Sequence, residues 1–156
     1  MFDDVICDIT FFLRIVLDTD VVGPAMRSRA GASWQLVDRA LIREFTLLLS
    51  VPLVLEYEAV LNREEHRRVH RLPIPEINAM IDALVSVAEP VRISFLWRPF
   101  LSDPSDDMVL ETAINGTADL LVTFNQADFA VAQKSFQVKV VRLSEALAIL
   151  RARRDS

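Results

Sequence analysis

Arg14-Ile-Val-Leu-Asp18-Thr-Asp20-Val-Val is a short apolar, β-branched run that ends on an aspartate. Residues 14–19 read as a buried strand. Three further runs read the same way: Phe45-Thr-Leu-Leu-Leu-Ser50, Asp119-Leu-Leu-Val-Thr123 and Gln137-Val-Lys-Val-Val141. Val91–Phe95 also reads as a strand. Between the strands the period changes to that of a helix. Trp34, Val37 and Leu41 recur at helical spacing over 33–44, with Ser33 placed to cap. Ser50 and Pro52 open a helix over 51–63, and Ile77, Met80, Ile81, Leu84 and Val85 share one face of a helix over 75–88. Asp103-Pro-Ser-Asp-Asp107 starts a helix that runs to about Asn115, where Gly116 ends it, and Ser144 caps a last helix from Glu145. Strands alternating with helices imply right-handed crossovers and a mostly parallel sheet covered on both faces.

The chain has 156 residues, 52% of them hydrophobic and 25% charged, so it can bury a core and is not disordered as a whole. Its one cysteine, Cys7, excludes an internal disulfide and a multi-cysteine zinc site. Its three glycines, Gly23, Gly31 and Gly116, cannot build a glycine-rich phosphate loop. Charged residues interrupt the apolar stretches of the first 22 positions, so neither a membrane span nor a signal peptide is expected, and the default compartment is the cytoplasm. The net charge of −5 argues against a passive nucleic-acid binder. It does not argue against a nuclease that gathers carboxylates around divalent cations, so the placement of the acids matters more than their number.

In parallel sheets, sites form at the carboxyl ends of the strands. Asp18 and Asp20 fall there after the first strand, and Asn125 and Asp128 after the strand ending at Thr123. Glu56 and Glu58 lie on the helix that follows the second strand, flanking opposite edges of its buried arc, and periodicity does not choose between them. Asp106 and Asp107 lie in a first helical turn. Singly, these acids have plain roles. Asp103, Ser105 and Asp106 can cap a helix or complement its dipole. An aspartate that ends an apolar strand, as Asp18 does, is harder to explain that way, because its desolvation needs a partner. Together the acids suggest an oxygen-lined site for Mg²⁺ or Mn²⁺.

These stretches, in this order and spacing, resemble the PIN-domain nucleases, and within them the toxins of toxin–antitoxin systems related to VapC-type ribonucleases. The resemblance rests on Val16-Leu-Asp18-Thr-Asp20-Val-Val, Ser50-Val-Pro-Leu-Val-Leu-Glu56-Tyr-Glu-Ala-Val-Leu, Asp103-Pro-Ser-Asp-Asp107-Met-Val-Leu and Ala118-Asp-Leu-Leu-Val-Thr-Phe-Asn125-Gln-Ala-Asp128-Phe. It implies a three-layer α/β/α sandwich over 14–156, preceded by an extension of 1–13. It also implies endoribonuclease activity with Mg²⁺ or Mn²⁺, an RNA substrate and an antitoxin partner, and it leaves a homodimer open. Asp18 matches the family's first acid, Glu56 the second and Asp107 the third, with Asp106 as its neighbour and rival. The fourth position falls between Asn125 and Asp128. Asp119 is expected to be structural. Asp20 stands where the family usually has asparagine. The family also suggests how the protein is silenced, with an antitoxin arginine or lysine capping the acids.

Other features have competing readings. His66 and His70 are spaced for zinc, but Arg63, Arg67, Arg68 and Arg71 surround them, and a solvated basic segment fits better. Arg63, Arg67 and Arg68, with Thr19, are candidates for holding a phosphate backbone beside acidic metal ligands. Thr19, Ser50 and Cys7 are nucleophile types without a histidine nearby in sequence. Phe95-Leu-Trp97-Arg-Pro-Phe100 is either core or a stacking surface. A non-catalytic module, whose acidic pocket binds a partner's side chains, is the alternative to an enzyme. A phosphate-binding receiver-like fold using Asp18 lacks a suitably placed lysine.

Overall fold

The computed structural model describes residues 12–63, 68, 71–95 and 100–155. The proposed extension falls outside these except for Phe12 and Leu13, as do Cys7, His66, Arg67, His70 and Trp97. The chain runs β1 (Arg14–Leu17), α1 (Thr19–Arg27), α2 (Ala32–Leu41), β2 (Thr46–Leu49), α3 (Val51–Leu61), α4 (Ile74–Val87), β3 (Glu89–Pro90), α5 (Pro104–Asn115) and β4 (Leu120–Val122). A 3₁₀ turn (Gln126–Phe129), α6 (Ala130–Ser135), β5 (Lys139–Val141) and α7 (Leu143–Asp155) complete it. The sheet order is β3-β2-β1-β4-β5, and every pairing is parallel. This is a three-layer α/β/α sandwich with an all-parallel sheet.

The central strands explain why the apolar runs are so continuous. Ile15, Val16, Leu17, Leu47, Leu48, Leu121 and Val122 are all buried, as strands covered on both faces must be. β1 lies in the middle, with β2 on one side and β4 on the other. Chain direction across the sheet reverses between β1 and β4. Their carboxyl ends therefore frame the crevice where open α/β sheets place ligands.

Several local expectations are corrected. α1 has no counterpart among the helices read from the sequence, and it carries Gly23 and Pro24 within it. It forms because Asp18 caps it and Val21, Val22, Ala25 and Met26 are buried beneath it. α2 is capped by Gly31, and Ser33 is buried inside the helix. Trp34 and Leu41 are only partly buried, while Leu36, Val37 and Ala40 supply its core face. Val85 of α4 is 46% exposed. α7 already begins at Leu143, so Ser144 lies within its first turn. β3 is Glu89–Pro90 rather than 91–95, although Val91 still donates to the Leu49 carbonyl. Beyond it, the Asn115 amide takes the backbone of Ser94 and Phe95, so these residues are bonded to a helix side chain.

Ser50 caps α3 through the Leu53 amide and bonds Thr112 at 2.7 Å, which ties α3 to α5. Gly116 ends α5 with φ −90°, and the left-handed residue is Thr117 at φ 49°. Glycine is required at 116 by space. A Cβ there would meet the Thr112 carbonyl at 2.9 Å, Val91 Cγ2 at 2.9 Å and Leu48 Cδ1 at 3.0 Å. Gly116→Ala should therefore destabilise the fold by about 1–3 kcal/mol, as overpacking does. In a domain of this size, that lowers the thermal midpoint by about 2–4 °C per kcal/mol, which calorimetry would detect.

Candidate active site

Asp18 leaves β1 and caps α1 in one step. Its amide continues the sheet by donating to the Val122 carbonyl at 2.9 Å. Its Oδ1 accepts from the Thr19 amide at 2.7 Å and from Thr19 Oγ1 at 3.3 Å, and its Oδ2 accepts from Thr123 Oγ1 at 2.8 Å. It is 4% exposed. Burial pushes its carboxyl up from the ordinary range, against the pull of those hydrogen bonds. Beneath it, the buried Tyr57 hydroxyl donates to the Leu17 carbonyl, which fixes α3 against the end of β1.

Asp20 sits one residue into α1 and reaches across to β4's end. Its Oδ2 accepts from the Phe124 amide at 3.1 Å, Asn125 Nδ2 at 3.0 Å and Thr123 Oγ1 at 3.3 Å. Its Oδ1 is buried with no hydrogen-bond partner among the described residues. Burial and then the Asp18 charge raise its pKa to about 7.

Thr123 stands between these two aspartates. Its hydroxyl proton can serve one carboxylate at a time, while its oxygen accepts from the Asn125 amide at 3.0 Å. It lies within the 118–129 stretch of the sequence but is not among the candidate site residues, and it is the residue that directly follows β4 at the switch point.

These residues open onto a cleft of about 330 Å³. Asp18, Thr19, Asp20, Glu56, Asp103, Asp106, Asn125 and Asp128 line it, with Arg27 and Arg63 among the flanking residues. Gly23 and Pro24 form part of the same wall, and nothing among the described residues lies within 4 Å of where a Gly23 Cβ would stand. Glu58 is not among the lining residues, so of the two glutamates α3 brings Glu56 to the acids. Asp103 caps α5 through the Ser105 amide at 2.9 Å and lines the cleft as well.

Asp106 and Asp107 part company. Asp106 faces the cleft, and burial followed by repulsion from Asp18, Asp103, Asp128 and Asp20 raises its pKa to about 7. Asp107 does not line it. Its carboxylate is buried, accepts from the Leu101 amide at 2.8 Å and lies 3.5 Å from the Phe100 amide. Asp119 accepts from the Arg14 amide at the opposite end of the sheet. Arg68 is exposed and does not line the cleft. Phe100 packs edge-on against Phe136, with ring centres 5.5 Å apart, while Phe95 is 65% exposed.

The donor set is oxygen-rich and suits a hard divalent cation. Among the described residues, no three of the acids stand close enough to grip one ion by themselves. Mg²⁺ does not need that, because it is usually held by one or two carboxylates and keeps several waters. The unpartnered Asp20 oxygen and the raised Asp20 and Asp106 carboxyls mark a cleft short of positive charge.

That shortage has a pH signature. In a metal-free protein, Asp20 and Asp106 favour the protonated form more strongly when folded than when unfolded. Their stabilising contribution is complete below the unfolded carboxylate range and is lost as pH rises through about 7. The thermal midpoint in EDTA should therefore fall between pH 5 and pH 8. Added Mg²⁺ should offset the fall at pH 8, because it favours ionised carboxylates. Melting curves across that range, with and without the ion, check both signs.

Residues 14–127 match the family model described as the PIN domain. No functionally curated protein matches the sequence. Two of the solved structures that share the fold are similar over most of the chain. One is VapBC2 from Rickettsia felis bound to a DNA fragment from their promoter. It has a TM-score of 0.56 at 12% identity and covers 83% of this chain and 98% of that one. The other is FitAB bound to an IR36 DNA fragment, with a TM-score of 0.53 at 16% identity, covering 83% and 94%.

Proposed function

The chain belongs to the PIN domain family, and from that premise we propose that its acidic cleft is the active site of a metal-dependent endoribonuclease. The observation that carries the proposal is the convergence of Asp18, Glu56 and Asp106 from β1, α3 and α5 on one oxygen-lined cleft at the β1–β4 switch point. One or two of these carboxylates, with bound waters, would hold Mg²⁺ or Mn²⁺, in a cleft that Asn125 and Asp128 also line. When bound, the ion supplies Lewis-acid polarisation of the phosphodiester and lowers the pKa of an attacking water.

The protein's own part is positioning and charge. Thr19 and Thr123 orient Asp18, so that its carboxylate needs little reorganisation. Asn125 and the Phe124 amide orient Asp20. Arg27 and Arg63 flank the cleft, where a polyanion's phosphates can be met by guanidinium groups. Asp107 acts on the fold by holding the chain at Phe100 and Leu101 ahead of α5. In this reading Asp106 takes the third acidic role, for which the sequence favoured Asp107.

The likeness to VapBC2 and FitAB supports an antitoxin partner. The cleft offers such a partner a receptor for a basic side chain, which would fill the cation's place and silence the enzyme. No helix among the described residues is long and apolar enough to cross a membrane, and we place the reaction in the cytoplasm. The test is incubation of the full chain with labelled RNA in Mg²⁺, Mn²⁺ or EDTA. Cleavage with either ion and none in EDTA is the expected result. RNA left intact under all three conditions would leave a non-catalytic binding module.

A further inference from the structure

Beside the acidic cleft lies a second cavity of opposite character. It measures about 550 Å³ and is lined by Gln35, Phe124, Arg142, Ser144, Leu147 and Arg151, among others. That volume is within the range of small-ligand sites, about 300–1,000 Å³. The chain as a whole carries a net charge of −5, yet among the described residues two arginines and no carboxylate line this cavity.

Three details make it more than a basic patch. The Phe124 amide donates to Asp20 Oδ2 at 3.1 Å, so the ring is carried by the wall of the acidic cleft itself. Phe124 is 45% exposed, although it is a large apolar residue. Arg142 is held in place: its Nε donates to Gln126 Oε1 at 2.9 Å, and Gln126 Nε2 donates to the Val140 carbonyl at 3.3 Å. The guanidinium is thus anchored through one nitrogen to the edge of the sheet, and its two terminal amino groups are the ones a ligand would meet.

We propose that Phe124, Arg142 and Arg151 form a nucleotide subsite, in which a base of single-stranded RNA stacks on the Phe124 ring and the two guanidiniums take adjoining phosphates. This deepens the nuclease reading and rests on it. Arg27 and Arg63 line the acidic cleft, and Arg142 and Arg151 line the second cavity together with Phe124. An RNA strand that reached both cavities would meet basic groups in each. Stacking suits this position because every base has a π-face, so the subsite grips without reading sequence.

Binding of an end-labelled, mixed-sequence single-stranded RNA, measured by anisotropy in EDTA, separates this from its alternatives. Phe124→Ala should weaken binding roughly tenfold, the scale of one lost base–aromatic stack. Phe124→Trp should restore it, which a purely structural role for the ring would not. Arg142→Gln with Arg151→Gln should flatten the dependence of log affinity on log salt by about 0.7 for each phosphate that is no longer neutralised. Unchanged affinity and slope in these variants, in a protein that still cleaves RNA with Mg²⁺, would overturn the subsite alone and point to a protein segment as the cavity's occupant. If the wild-type chain neither binds nor cleaves RNA, the subsite and the nuclease reading fall together.

Discussion

Asp18→Asn should abolish Mg²⁺-dependent RNA cleavage while leaving the protein folded. The loss should reach at least about 10³-fold, because metal stabilisation of transition-state charge is worth several kcal/mol and each ~1.36 kcal/mol is tenfold. Stability should hold for reasons visible around the side chain. Oδ1 accepts from the Thr19 amide and hydroxyl, and an asparagine oxygen can do the same. The new amide would face Thr123 Oγ1, a hydroxyl that can accept as well as donate. The substitution also removes a buried negative charge whose desolvation is unfavourable. The thermal midpoint in EDTA should therefore be equal to or above that of the wild type, while Mg²⁺ should raise it less. Wild-type cleavage rates in this variant would overturn the assignment of the cleft. Loss of activity together with a large drop in midpoint would show that Asp18 is mainly a helix cap.

What could be read from the sequence follows from which forces act locally. The strands were legible because burial on both faces leaves nearly unbroken apolar runs, and Leu47-Leu-Leu and Leu120-Leu-Val announce themselves. α3 was legible because Ser50 and Pro52 supply cap and first-turn chemistry in the chain itself. α1 was hidden because its stability comes from elsewhere. Gly23-Pro24 disfavours a helix locally, and burial of Val21, Val22, Ala25 and Met26 against the rest of the protein overrides it. The end of β3 was misjudged for a similar reason. Ser94 and Phe95 have strand-like company in sequence, but the Asn115 amide, some twenty positions later, claims their backbone.

The site divides along the same line. Asp18 and Asp20 were found because strand ends are marked by the pattern. Thr123 was not, because its importance lies in joining β1's aspartates to β4's end, a contact made across more than a hundred positions. Glu56 and Glu58 could not be ranked by period, since both flank the buried arc and only the placement of α3 decides which meets the other acids.

The neighbouring pair Asp106 and Asp107 gives the sharpest separation, since successive helical residues point about 100° apart and can have unrelated tasks. Asp106→Asn should lower Mg²⁺-dependent cleavage by a factor comparable to Asp18→Asn. Its stability in EDTA should not fall, because the change removes a carboxyl raised to about 7 by burial and by repulsion from Asp18 and its neighbours. Asp107→Ala should do the reverse. Its buried carboxylate accepts from the Leu101 amide at 2.8 Å, and removal strands that amide and the Phe100 amide beside it. A hydrogen bond to a charged acceptor is worth about 1.5–3 kcal/mol, so the variant should melt several degrees lower. Its chemistry should be disturbed only through the position of the chain before α5, so cleavage should persist at temperatures well below the new midpoint. Measuring midpoint and cleavage rate on both variants settles which acid serves the cleft. A stable but inactive Asp107→Ala, beside a fully active Asp106→Asn, would restore the assignment that the sequence favoured.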